Sequence, residues 1–252
     1  MKALFDLLLA DQGAAAAVAE TLVLVFLRVG AAMAALPGLG EQSIPVRVRL
    51  GLAVAVTLAV LPAVPAGSLT AQSFAAEVAL GLLLGLSLRF FVFALSTAGT
   101  IAANATSLSQ LFPQAGEPQP ALSTLFVMAG LALAMQADLP LHLVSYFVVS
   151  YDLLPMGNWP RAGDLASWFA HHADDSFSLA FALAMPFVIA SLLYNLALGV
   201  INRSMPALMV TFVGAPALSL GGLALLAIVA PFALQAWFGA FSRFLTNPFP
   251  WP

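Results

Sequence analysis

The chain has 252 residues, of which 62% are hydrophobic and only 8% are charged, whereas ordinary soluble domains carry about 25% charged residues. Its eight basic and eleven acidic residues cannot cover the surface of a soluble enzyme of this length. We therefore interpret it as an integral membrane protein or a subunit of a very apolar assembly. The net charge of −3 argues against a nucleic-acid partner, and the absence of cysteine excludes disulfides, thiolate metal sites and thiol nucleophiles.

Two apolar runs open the chain, after a short amphipathic lead-in. The first covers residues 14–39 and contains Glu20 and Arg28, whose spacing puts them near one helical face, directed toward protein or water. The second covers residues 50–62 and ends at prolines. It is shorter than the roughly 20 residues that a spanning helix needs, which argues against a plain multi-pass protein.

The third apolar run, residues 74–103, has the most regular pattern in the sequence. Glu77, Gly81, Gly85 and Arg89 recur every four residues and so share one helical face. The two glycines form a small-xxx-small pair that lets another helix approach closely. Because Glu77 and Arg89 lie at opposite ends of this face, we expect each to have a partner on a neighbouring element.

A polar segment, residues 104–120, separates the apolar runs of the two halves. It contains Pro113, Pro118 and Pro120, which rule out a continuous helix because each lacks a backbone N–H. In an apolar environment, irregular backbone is tolerated only where it is buried in protein or lines a water-filled cavity. The segment therefore indicates a pore or an interface.

Apolar sequence resumes over residues 122–154, which is too long for one untilted span. Leu139-Pro140 predicts a break or kink. Asp138 and His142 lie four residues apart, and a polar turn at a hairpin tip is favoured over a proton relay because no second carboxylate joins them.

The most charged linker covers residues 155–176. It contains histidine and aspartate residues, which are types that bind metal ions. Adjacent histidines point in different directions, however, and the spacing does not bring three ligands to one ion. We predict a solvated acidic loop and no metal site for His171, His172, Asp174 and Asp175.

Two further runs complete the chain. Residues 177–201 are long enough to cross a bilayer and carry Pro186, which predicts a kink. A short basic turn at 202–206 follows. The last run, 207–241, is too long for one span. We expect it to be divided at residues that disfavour helix, namely Gly214, Pro216, Gly221 and Gly222. We expect a bend at Pro231 in the second piece.

The sequence contains no GxSxG elbow, HExxH helix, P-loop or dinucleotide-binding glycine pattern. Serines such as Ser107 have no histidine near them in the sequence. We therefore predict that the chain is not an enzyme and has no cofactor.

Five ordered blocks resemble the FliR family of flagellar type III export-gate proteins and its virulence-secretion relatives. They comprise FLRVGAAMAALPGLGEQSIPVRVRLGLAVAVTLAVLP (26–62), EVALGLLLG (77–85), AGTIAA (98–103), SYDLLPMG (150–157) and YNLALGVINRSMPALMVTFVGAP (194–216). The chain departs from the family at 207–209, where Ala-Leu-Met stands in place of the common Gln-Leu-Asn. The central segment also diverges from the common family form.

The resemblance implies an all-α fold of membrane-associated helical hairpins, with about six long hydrophobic segments kinked at proline and glycine. It implies one helical membrane domain over 1–252, divided into N-terminal helices (1–103), a plug-like loop (104–120) and C-terminal helices (121–252). The subunit would join P-type and Q-type subunits (FliP and FliQ), and FlhB, in a cone-shaped ring in the bacterial inner membrane at the flagellar basal body. Unfolded flagellar proteins would pass through that ring, and membrane lipid would surround it.

The resemblance also implies that the central loop plugs the closed pore. The sealing candidates are Leu108, Leu111 and Phe112, with Ser109 and Gln110 between them; a surface connector is the alternative for this loop. Helix packing or subunit contacts are expected of eight residues: Glu20, Arg28, Glu77, Gly81, Gly85, Arg89, Arg203 and Pro206.

An alternative function from another class is a stand-alone carrier for a small solute, with ionisable groups as substrate or proton contacts. A carrier of this kind should show repeat symmetry, and the sequence has no clear internal repeat. Its candidate contacts are Glu20, Arg28, Glu77, Arg89 and Asp138.

Overall fold

The computed structural model describes residues 2–36, 45–107, 120–204 and 210–248. Within these ranges the chain is all-α and has no strand, as predicted. Its helices are α1 (Lys2–Ala35), α2 (Val46–Val60) with a 3-10 turn at Leu61–Ala63, α3 (Ala71–Ala105), α4 (Ala121–Gln136), α5 (Leu139–Leu153), α6 (Ala162–Ser204) and α7 (Val210–Thr246).

Five of these helices are long and apolar enough to cross a membrane, and the count reaches six if the bent pair α4 and α5 forms one span. This range agrees with the six hydrophobic segments expected from the sequence. Large apolar side chains on the outside of α6 agree with the interpretation as a membrane protein, because Leu192, Leu196 and Val200 are each at least 60% exposed. A soluble monomer rarely exposes so much contiguous apolar surface.

The break predicted at Leu139-Pro140 is present. α4 ends at Gln136 and α5 begins at Leu139, and Asp138 between them has a left-handed backbone with φ of 56°. Pro140 lies in the first turn of α5, where its missing N–H removes no helical hydrogen bond.

The polar central segment is described only at its two ends. α3 continues through Ala105, and Ser107 then adopts a left-handed conformation with φ of 57°, a common way for a helix to end. Pro120 caps the N-terminus of α4 with a β-type backbone. Residues 108–119 lie outside the described residues.

The prediction of an acidic loop over 155–176 is wrong beyond residue 161. α6 begins at Ala162, so His171, His172, Asp174 and Asp175 are helical. Asp164 in the first turn interacts favourably with the positive end of the helix dipole, and the alanines that follow are strong helix formers. Charge content predicted exposure here but not the backbone conformation.

The predicted division of the last apolar run is also wrong. α7 runs from Val210 to Thr246 without interruption and contains both Pro216 and Pro231. A proline removes one backbone hydrogen bond, and an apolar helix can accommodate that loss without ending. The N-terminal lead-in is likewise part of a longer helix, since α1 already begins at Lys2.

The chain divides into two compact units. The first unit contains residues 1–89, 138–171 and 243–252, and the second contains 90–137 and 172–242. In the first unit, Leu80, Leu84 and Leu88 form a fully buried stripe along α3. The buried Tyr146 of α5 joins it, because its hydroxyl donates to the carbonyl oxygen of Leu84 at 3.3 Å.

The second unit is organised around Trp237 of α7. Its indole ring stacks on Phe241 with ring centroids 5.1 Å apart, and its Nε1 donates to the carbonyl oxygen of Phe91 at 2.8 Å. Gly130 of α4 faces this ring, and a Cβ at that position would overlap the side chain of Leu95. The glycine therefore leaves room for the largest side chain of this core.

Candidate functional site

A fully buried ion pair joins α1 to α3 in the first unit. Arg28 and Glu77 both have side chains with no solvent exposure. The guanidinium Nε donates to Glu77 Oε2 at 2.6 Å, and Nη2 donates to Oε1 at 3.0 Å. In this bidentate geometry two charge-assisted hydrogen bonds run in parallel, and such bonds are roughly twice as strong as neutral ones.

The remaining donors of Arg28 bind the C-terminal end of α5. Nη1 donates to the carbonyl oxygen and the Oγ of Ser150 at 3.4 and 3.3 Å. Nη2 donates to the carbonyl oxygen of Leu154 at 3.0 Å. An arginine side chain has five N–H donors, so all five have an acceptor within the protein.

Glu77 is equally well satisfied. Its Oε1 also accepts the backbone N–H of Gly157 at 3.0 Å, and its Oε2 accepts the hydroxyl of Tyr151 at 3.3 Å. The Tyr151 ring lies under the guanidinium, with Arg28 Cζ 3.7 Å from the ring centroid, which adds a cation–π contact. Gly157 has φ of 73°, a conformation that favours glycine and aims its N–H at the carboxylate.

The helices that carry the pair touch along their backbones. A Cβ at Gly81 would overlap the carbonyl oxygen of Arg28, and one at Gly85 would overlap that of Ala32. Only glycine permits this approach, because any side chain would force α3 away from α1. The spacing of Glu77, Gly81 and Gly85 thus places the carboxylate and both glycines against one neighbouring helix.

We name the group formed by Arg28, Glu77, Ser150, Tyr151 and Gly157 the buried cluster. Each of its charged atoms is bound by protein groups, so it presents no vacant donor or acceptor to a solute. Its hydrogen bonds connect α1, α3, α5 and the loop that follows α5 at one point. A buried charge that lost its partner would be costly, so the junction needs both Arg28 and Glu77.

Sequence reasoning found Arg28 and Glu77 but not their shared partners. Ser150, Tyr151 and Gly157 lie more than 70 residues from Glu77 in the chain, and no local spacing links them. The sequence signal that could have found them is the block SYDLLPMG at 150–157, which contains all three residues.

The other predicted packing residues lie elsewhere. Glu20 accepts the backbone N–H of Leu69 at 3.0 Å and so holds the loop before α3. Arg89 is half-buried on α3, and Arg203 is exposed in the last turn of α6. Pro206 and the sealing candidates lie outside the described residues: Leu108, Ser109, Gln110, Leu111 and Phe112.

Two further sets of candidate residues do not converge. Of the carrier contacts, Arg28 and Glu77 pair with each other, while Asp138 is exposed at the turn between α4 and α5. Within the described part of the chain, no three histidine or acidic side chains are grouped so that they could hold a metal ion.

Known proteins resemble this chain over most of its length. The profile of "Bacterial export proteins, family 1" matches residues 19–244. The flagellar biosynthetic protein FliR of Caulobacter vibrioides is 37% identical over 227 residues, which cover 85% of this chain and 90% of that protein. FliR of Escherichia coli is 32% identical, with 81% and 82% covered, and FliR of Aquifex aeolicus is 28% identical, with 84% and 85% covered. The chain therefore belongs to family 1 of the bacterial export proteins.

Proposed function

We propose that this chain is the R-type subunit of a flagellar type III protein-export gate. It is a membrane-embedded component of the flagellar export apparatus, and it assembles with the P-type and Q-type subunits FliP and FliQ, and with FlhB. The assembly lies in the bacterial inner membrane at the basal body and conducts unfolded flagellar proteins. The observation that carries the proposal is the family match over residues 19–244, together with relatives that are flagellar biosynthetic proteins.

The buried cluster supports a structural subunit over a solute carrier. A carrier needs polar groups that exchange partners with its substrate, whereas Arg28 and Glu77 are fully buried and saturated by protein groups. The two central charges of the carrier hypothesis therefore act in folding. Large exposed apolar side chains along α6, including Leu192 and Leu196, suit contact with lipid or with other subunits.

Export itself tests the proposal. In a strain that lacks the chromosomal gene, filament and hook proteins should be absent from the culture medium, and a plasmid copy should restore them. The synthesis of these proteins inside the cell serves as the control. Normal secretion by the deletion strain would contradict an export role.

The central segment, residues 104–120, is our proposed plug for the closed gate. α3 ends at Ala105 and α4 begins at Ala121, so two long helices bracket the segment. A plug needs irregular backbone that can move aside and a few apolar groups that exclude ions. Leu108, Leu111 and Phe112 are the sizeable apolar residues within it.

Replacing Leu108, Leu111 and Phe112 together by serine should make the gate leak ions without preventing assembly. Membrane conductance should rise well above that of the parent strain, while the amount of assembled complex stays the same. Leu69→Ser is a matched control, because Leu69 is an exposed leucine in another loop. Unchanged conductance in the triple variant, with the complex intact, would contradict the plug.

A further inference from the structure

Gly222 of α7 lies against the C-terminal end of α3 in the second unit. A Cβ at Gly222 would lie 2.6 Å from the Cβ of Thr106 and 3.0 Å from its Cγ2, whereas carbon atoms that are not bonded prefer to stay about 3.5–4.0 Å apart. Gly222 is itself buried, and its neighbour Gly221 is exposed. A Cβ at Gly221 would meet no described atom within 4 Å. Of these two glycines, Gly222 is therefore the one that close packing requires.

Thr106 belongs to the central segment, residues 104–120, and directly follows the end of α3 at Ala105. Its side chain is buried and held in place, because Oγ1 donates to the carbonyl oxygen of Ala102 at 2.7 Å. Ser107 follows with a left-handed backbone, so the chain leaves the helical path directly after Thr106. Gly222 thus contacts the residue from which the central segment departs.

A second contact fixes the position of α7 along α3. Trp237 of α7 donates its indole N–H to the carbonyl oxygen of Phe91 of α3 at 2.8 Å. On each helix, fifteen residues separate this contact from the one between Thr106 and Gly222, which corresponds to about 22 Å of helix. The two helices therefore run antiparallel in register between these contacts. α7 supports α3 up to the residue where the chain leaves the helix.

The other end of the central segment is also held on α3. A Cβ at Gly99 would overlap the Cα of Ser123, which lies in the first turn of α4. Ser123 Oγ donates to the carbonyl oxygen of Ser96 at 2.9 Å. Both ends of the segment are therefore fixed within the last three turns of α3, and α7 makes its contact at the first of them.

We propose that Gly222 positions the plug: α7, lying against Thr106, sets where the central segment leaves α3 and so holds the segment in the closed arrangement. This inference rests on the plug proposed above for the same segment. A side chain at residue 222 displaces Thr106 and weakens the closed arrangement, whereas one at residue 221 does not. Because close-packed contacts have little room to adjust, the effect should grow with the size of the new side chain.

Membrane conductance tests this positioning role. Gly222→Val should raise the conductance per assembled complex about tenfold, because overpacking typically costs enough to change a two-state equilibrium by that factor. Gly222→Ala adds one carbon and should give a smaller rise, which keeps the test decisive if the valine variant does not assemble. Gly221→Val is the matched control on the same helix and should conduct as the parent does.

The triple serine variant at Leu108, Leu111 and Phe112 separates this inference from the plug itself. If Gly222 acts through the plug, Gly222→Val should add no conductance to a gate that already carries the three serines. A further rise would show that residue 222 acts elsewhere and would overturn the positioning role. A leak in the triple variant, with the parent's conductance in both Gly222 variants, would also overturn it. A triple variant without a leak would instead contradict the plug.

Discussion

Glu77→Ala should destabilise the chain by about 3–5 kcal/mol, the cost typical of removing one partner from a buried ion pair. The loss leaves the guanidinium of Arg28 without its carboxylate in a site that has no solvent exposure. It also leaves the N–H of Gly157 and the hydroxyl of Tyr151 without their acceptor. We expect a large fall in the thermal unfolding midpoint of the purified chain and little protein in the membrane.

A double variant separates unpaired charge from general loss of packing. Arg28→Met with Glu77→Met removes both charges and fills the space with flexible side chains, so it should be more stable than Glu77→Ala alone. Arg28→Lys should remain destabilised, because a lysine has three donors where five are used. Asp152→Ala, at an exposed carboxylate on α5, is the control and should change stability by no more than about 0.5 kcal/mol. A Glu77→Ala protein with the parent's unfolding midpoint would contradict this account of the cluster.

Gly81→Leu should damage the same junction through the backbone. A Cβ at this position would overlap the carbonyl oxygen of Arg28 and also crowd Ala31, with a Cβ to Cβ distance of 2.9 Å. α3 must therefore move away from α1, which stretches the hydrogen bonds of the ion pair one turn away. Overpacking alone costs about 1–3 kcal/mol, and the strained ion pair adds to this. We expect an effect comparable to that of Glu77→Ala, measured by the same thermal unfolding.

The matched control is Gly51→Leu on α2, where a Cβ meets nothing within 4 Å. Leucine favours helix over glycine by up to about 1 kcal/mol, so this variant should equal or exceed the parent in stability. Two glycine-to-leucine changes in helices would then act in opposite directions. Equal stability of the Gly81 and Gly51 variants would show that close packing at Gly81 is unimportant.

The spacing of residues along the sequence predicted which side chains share a helical face, because that property is local to one helix. The four-residue spacing of Glu77, Gly81 and Gly85 placed them on one face, and the structure puts that face against α1. The spacing could not identify Arg28 as the partner, since the two residues are 49 positions apart. Tyr151 and Gly157 were missed for the same reason, because their roles exist only after α5 has packed.

The predicted helix boundaries are wrong where amino-acid composition alone was used to predict the backbone conformation. The acidic composition around Asp174 predicts a loop, yet exposed charges are compatible with the solvated part of a helix such as α6. Pro216 and the neighbouring glycines predict a break, yet α7 continues through them. Local propensity is a weak constraint in a long apolar helix, because tertiary and membrane contacts override it.

Purification from native membranes tests the central claim most directly. The tagged full chain is extracted in mild detergent and analysed by size and by mass spectrometry of the proteins that elute with it. An export-gate subunit should elute in one large stable complex with the P-type and Q-type subunits, FliP and FliQ. Elution as a monomer or a small homo-oligomer, free of both subunits, would contradict the assignment and favour a stand-alone carrier.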